Sequence, residues 1–201
     1  MPGERRTARL EQALRQRQPD LTVVIENIHD PHNVSAILRS CDAAGVMQVQ
    51  LLYTKEKFPR IGKKSSASAS KWIERRTFDS SDKCFATLRT EGFTILATHL
   101  GQDSRSLYEL DLTKKTALVF GNEHRGVSDD IAVLADGNFQ IPMLGLIQSL
   151  NVSVACAVTL FEAVRQRTIK GDYAQSKLSK KELDAMLKDW SFKMKNQKKK
   201  P

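Results

Sequence analysis

The sequence predicts an α/β fold, a mostly parallel sheet covered by helices. Two observations carry that prediction. Apolar strand-like runs alternate with helical patterns from residue 21 to residue 167, and strands alternating with helices call for a parallel sheet covered on both faces. The 201 residues, 40% hydrophobic and 27% charged, suffice for one cored domain and exclude a disordered or fibrous chain.

The elements follow in order. Residues 5–17 place Ala8, Leu10, Ala13 and Leu14 among arginines, which predicts a short basic helix ended by Pro19. A strand over 21–26, a helix over 34–44 and a strand over 46–53 come next. Residues 54–70 read as a loop near a ligand, rich in lysine and serine (K-S-S-A-S-A-S at 64–70), and residues 72–78 as a further strand. Strands over 93–98, 117–120 and 139–141 then frame a helix over 128–134, and a helix over 150–167 follows. A last helical pattern over 180–190 carries Leu183, Met186, Leu187 and Trp190 at i, i+3, i+4 and i+7, so it needs a partner surface. The organisation expected is a basic N-terminal helix over 1–20, a central domain over 21–168 and a basic helix and tail over 169–201.

Several function classes are excluded at this level. The longest apolar run, 152–161, is about half of the roughly 20 residues a membrane span needs, and the N-terminus does not resemble a signal peptide. A cytoplasmic protein is expected, with no membrane partner. Cys41, Cys84 and Cys156 lack C-x-x-C spacing, and His29 and His32 are not in an H-E-x-x-H arrangement, so neither a disulfide framework nor a metal site is indicated. With no G-x-G-x-x-G and no Walker A loop, dinucleotide and nucleoside-triphosphate readings lose their usual support.

The net charge of +9 is unevenly placed. Residues 1–20 carry five Lys/Arg against three acids, residues 21–162 carry 15 against 16, and residues 163–201 carry 12 against four. A neutral centre with cationic ends suits a conventional core whose extensions hold a polyanion, most simply nucleic acid. The run over 193–200 also fits a tail that only aids solubility.

Three clusters carry chemistry. The first, N-I-H-D-P-H-N-V-S-A-I-L-R at 27–39, runs from a strand end into a helix, with Asn33 as candidate N-cap and Arg39 a cation on an otherwise apolar face. The second, F-G-N-E-H-R-G-V-S at 120–128, places Gly121 where a ligand can approach the backbone and Glu123 at a strand end. The third, I-P-M-L-G-L-I-Q-S-L-N-V-S-V-A at 141–155, is an apolar loop with the ingredients of a pocket for an adenine and a thioether-like chain. Ser149 and Asn151 then open a helix. Singly, each cluster also fits an ordinary strand–turn–helix connection or a buried loop.

Together and in this order, the clusters resemble the three motifs of the SpoU (TrmH) branch of the SPOUT RNA methyltransferases, across residues 5–168. The resemblance implies a C-terminal deep trefoil knot, S-adenosylmethionine as cofactor, and a homodimer. It implies cofactor contacts at Thr98, Leu100, Gly121, Ile141, Met143 and Leu150, and a reaction site lined by Asn33, Arg39, Glu123, Ser149 and Asn151. The single-domain layout, Q-P-D-L-T-V at 18–23 and E-A-V-R-Q-R at 162–167 are similar to members that methylate the ribose of guanosine 18 in the tRNA D-loop. Arg9, Arg165, Arg167 and the basic ends are then candidate tRNA contacts. Arg39 is the family's proposed activator of the 2′-hydroxyl. A guanidinium is effectively always protonated, so clamping phosphate and ribose is the role expected here. Ribosomal RNA as substrate, and a non-catalytic RNA-binding module, are the competing readings.

Overall fold

The computed structural model describes residues 2–59, 69–101 and 103–197. Most of the lysine- and serine-rich stretch, 60–68, and the terminal lysines 198–200 lie outside the described residues. Helix α1 (Pro2–Arg15) leads into β1 (Leu21–Glu26), α2 (Pro31–Ala43), β2 (Gln48–Leu52), β3 (Glu74–Phe78), α3 (Ser81–Thr90) and β4 (Thr94–Thr98). The short β5 (Arg105–Ser106), β6 (Thr116–Phe120), α4 (Asp129–Leu134), β7 (Gly137–Gln140), α5 (Val152–Lys170) and α6 (Lys180–Gln197) follow.

All seven strands pair in parallel, in the order β3-β2-β1-β6-β4-β7-β5. The central β1 and β6 are buried at every residue because both faces are covered. Alternation along them sorts the core into two layers. Val23, Ile25, Leu118 and Phe120 join the cluster that holds Ile37, Leu38 and Cys41 of α2 and Cys156 and Leu160 of α5. Val24, Ala117 and Val119 face Cys84, Phe85 and Leu88 of α3 and Ile131 of α4. Cys156 lies against Cys41, and its burial with that neighbour pushes its thiol well above the usual cysteine value.

Two elements go beyond the periodicity reading. Helix α3 is capped by Ser80, whose hydroxyl accepts from the Lys83 N–H, and β5 forms an edge of the sheet against β7. One expectation is corrected: Asn33 does not cap α2. Asp30 does, accepting from the His32 N–H at 2.8 Å, with Pro31 in the first helical position. Proline's fixed φ and missing N–H suit that position, so the helix begins before its apolar stripe. Asn33 is thereby placed inside the first turn.

The two basic ends form one unit at the amino side of the sheet. Leu14 of α1 packs with Leu178, and with Leu183 and Trp190 of α6. The Trp190 ring lies against Trp72 at 4.8 Å and under the Arg17 guanidinium at 5.0 Å. Arg17 also donates to the Val46 carbonyl at 2.7 Å and pairs with Asp42.

The expectation of an RNA contact at Arg167 is likewise corrected. Its side chain is 0% exposed. Nε donates to the Leu112 carbonyl at 2.9 Å, Nη1 to Gln18 Oε1 at 3.0 Å and Asp20 Oδ1 at 2.6 Å, and Nη2 to the carbonyls of Asp20 and Lys114 at 3.2 and 2.8 Å. A guanidinium so enclosed has no donor left for a phosphate. It ties the end of α5 to the segments that precede β1 and β6.

Candidate active site

Ligands of open α/β sheets gather outside the carboxyl ends of the strands, and the cavity lies there. It measures about 440 Å³ and lies between the ends of β4, β6 and β7 and the start of α5. Leu100, Ile141, Met143 and Leu150 give it apolar walls, and Thr98 and Gly121 complete the set of six residues expected to touch the cofactor. The Thr98 hydroxyl is turned to the Val119 carbonyl at 3.1 Å, which fixes the strand end. Gly121, expected to let a ligand approach the backbone, also serves the fold. A Cβ there would stand 2.2 Å from the backbone of Gly126 and Val127, so glycine lets the chain's own turn fold back, whether or not a ligand also approaches.

Glu123 and Ser149 line the same cavity. The Glu123 carboxylate closes onto the start of α2. Oε1 accepts from the Asn33 amide at 3.0 Å and the Asp30 N–H at 3.1 Å, and Oε2 from the His29 N–H at 3.2 Å. Burial pushes this carboxyl upward, but the Asn33 amide and the backbone donors outweigh it, so the group lies below the ordinary glutamate value. It is ionised at neutral pH. The structure thus joins two of the five expected reaction-site residues directly, through the first turn of α2.

The other three are placed differently. Ser149 is exposed on the loop over 141–151, and Asn151 caps α5, its Oδ1 accepting from the Ser153 N–H at 2.9 Å and hydroxyl at 2.6 Å. Arg39 projects from α2 into solvent and does not line the cavity. Arg9 is exposed on α1, and Arg165, 59% exposed, is held by both carboxylate oxygens of Glu162. Within one chain the apolar loop is uncovered: Leu144 and Leu146 are fully exposed and Ile147 70% exposed.

Two residues that the motif reading passed over are buried at this end. Asn27, at φ 48°, is the one non-glycine with positive φ among the described residues. Its Oδ1 accepts from the N–H groups of Thr54, Lys55 and Glu56 at 3.0, 3.1 and 3.3 Å, and its Nδ2 donates to Thr54 Oγ1 at 3.2 Å. Asn122 donates from Nδ2 to the Asn27 carbonyl at 2.8 Å, while its Oδ1 accepts from the His124 N–H at 3.0 Å. Asparagine tolerates positive φ and replaces missing turn bonds with its own amide, so an asparagine directly after an apolar strand was the available signal.

Residues 20–161 match the SpoU rRNA Methylase family. The chain is 48% identical over 187 residues to the tRNA (guanosine(18)-2′-O)-methyltransferase of Thermus thermophilus, covering 93% of this chain and 96% of that protein. It is 39% identical to a 23S rRNA (guanosine-2′-O-)-methyltransferase of Xanthomonas axonopodis, over 73% of this chain and 59% of that protein. The crystal structure of the Aquifex aeolicus TrmH/SpoU tRNA modifying enzyme matches with a TM-score of 0.88 at 40% identity, over 96% of this chain and 98% of that one. The SpoU methyltransferase AviRb of Streptomyces viridochromogenes, in complex with the cofactor AdoMet, matches with a TM-score of 0.66 at 27% identity, over 78% of this chain and 64% of that one.

Proposed function

The chain belongs to the SpoU rRNA methylase family, and from that premise we propose that it methylates the ribose 2′-oxygen of guanosine 18 in tRNA, using S-adenosylmethionine. The match to tRNA guanosine-18 enzymes along nearly the whole of both chains carries this reading. The match to the ribosomal RNA enzyme covers only 59% of that protein. The family fold implies the C-terminal trefoil knot, and the site of action inferred is the cytoplasm, where tRNA is found. Among the described residues no helix is long and apolar enough to cross a membrane.

The cavity suits the cofactor in size and lining. About 440 Å³ is within the usual range for a small-molecule site, and its apolar walls offer a seat for an adenine and an alkyl chain. When bound, S-adenosylmethionine supplies an electrophilic methyl group. The chain's own residues then have distinct tasks. Leu100, Ile141, Met143 and Leu150 enclose the apolar parts and exclude water, and Thr98 and Gly121 shape the strand ends. Glu123, ionised, fixes Asn33 and the start of α2 at the cavity rim. Ser149 and Asn151 present polar groups to the ribose. Arg39 would clamp the ribose and its phosphate, a guanidinium being too poor a base to take the 2′-hydroxyl proton, for which that phosphate would be the acceptor. Alignment of the hydroxyl with the methyl group accounts for much of the acceleration.

Because Arg39 stands outside the cavity of its own chain, we place it in a site completed by a second copy. The uncovered Leu144, Leu146 and Ile147, with Val154 and Phe161 on α5, support that homodimer. Arg9, Arg165 and the basic α1–α6 unit would hold tRNA through its phosphates, making binding weaken with salt.

The test is methyl transfer from labelled S-adenosylmethionine to a mixed pool of unmodified tRNA and ribosomal RNA, with nuclease digestion and mass spectrometry. The expected product is 2′-O-methylguanosine mapping to the tRNA D-loop. Product in ribosomal RNA alone would transfer the reading to that substrate, and saturable binding without product on either RNA would favour a binding module.

A further inference from the structure

Three loops meet beside the start of α2, and each comes from a different strand end. They are the 27–30 segment after β1, the 54–56 segment after β2 and the 122–126 turn after β6. One side chain and one carbonyl join them. The Asn27 amide holds the 54–56 segment through four hydrogen bonds, and the Asn27 carbonyl receives the Asn122 amide. Two and three residues further along, the N–H groups of His29 and Asp30 donate to Glu123, the residue that follows Asn122. Asn27 thus begins the segment that supplies the donors and ties it to the segment that supplies the carboxylate.

We propose that Asn27 is a positioning residue for the methyl transfer, setting the Glu123 carboxylate against the first turn of α2 through its left-handed backbone and its amide. This rests on the reading of the chain as a tRNA 2′-O-methyltransferase. Asn27 is only 3% exposed and is not among the residues lining the cofactor cavity, so it acts on the reaction only through the residues it holds. The positive φ turns the Asn27 carbonyl toward Asn122 while its side chain still reaches back over the 54–56 amides, and both contacts are made from one residue.

The variants separate backbone from amide. Asn27→Gly keeps the left-handed conformation and removes the four side-chain bonds. The expected result is a loss of about tenfold or more in kcat, with KM for tRNA and the Kd of S-adenosylmethionine within about twofold, in a protein that retains its circular dichroism. An unchanged kcat, or a loss confined to KM, overturns the proposal. Asn27→Asp keeps the acceptor for the three N–H groups and also tolerates positive φ, so it folds even if the glycine variant does not. It should retain kcat within about threefold, and a larger loss in folded Asn27→Asp overturns the account. Failure of the wild-type protein to methylate tRNA would instead defeat the functional reading, leaving the two failures distinguishable.

Discussion

At the amino ends of the strands a cation is sealed in, and at the carboxyl ends an anion is left accessible. Arg167 is closed off from water with five hydrogen bonds to the chain, and Asp20 beneath it is shared with Lys177 at 2.6 Å. Glu123 is held by three donors on one side and lines an open cavity on the other. The fully buried arginine and the half-buried glutamate are both tolerated because each is paired or hydrogen-bonded. The difference lies in what remains free: the arginine has no donor to offer a ligand, while the carboxylate end has a cavity beside it.

The largest expected effect breaks the amino end. Arg167→Ala takes one of two cationic partners from Asp20, which keeps Lys177, leaves the Leu112 carbonyl without its donor and empties the guanidinium's socket, and should cost about 3 kcal/mol of stability, measured by urea unfolding. Folded protein should retain the salt dependence of tRNA binding, because Arg167 makes no phosphate contact. The next breaks the other end without touching the fold. Arg39→Ala should lower kcat about 100-fold while the Kd of S-adenosylmethionine, read by calorimetry, stays within about twofold. Equal loss of both would contradict the clamp.

Two smaller effects sharpen the contrast. Glu123→Gln sets an amide NH2 against one of the backbone donors. It should lower kcat about tenfold while changing stability by no more than about 1 kcal/mol. Acid titration should separate the ends by origin. Burial pushes Asp20 upward, yet Lys177 and Arg167 outweigh it and hold its carboxyl below the ordinary aspartate value. Its contribution is complete above the unfolded value and is lost as pH falls through the lower folded one. Asp20→Asn should therefore flatten the acid limb of unfolding free energy against pH.

The legible part of this molecule was its order of strands and helices and the lining of its cavity. The apolar runs at 21–26 and 117–120 announced buried parallel strands, and the apolar loop that begins at 141 announced a greasy wall. Arg167 was misread because a basic residue near a basic tail suggests an RNA contact. A finer signal was present: Cys156, Leu160, Ala163 and Arg167 fall at helical spacing on one stripe, the buried one. Asn27 was missed for another reason. Its role depends on contacts with residues 27 and 95 positions away, which no local pattern encodes.

Helix α5 is pinned at both of these ends, by the Asn151 cap beside the cavity and by Arg167 under β1. Its 19 residues make a rod of about 28 Å, and a single inserted residue would turn everything beyond it by about 100°. Either the arginine would leave its socket or the cap would leave the rim. Side chains on the exposed face of α5 can change without moving either end, but the count between positions 151 and 167 cannot, which makes that stretch a fixed ruler between the cavity and the amino side of the sheet.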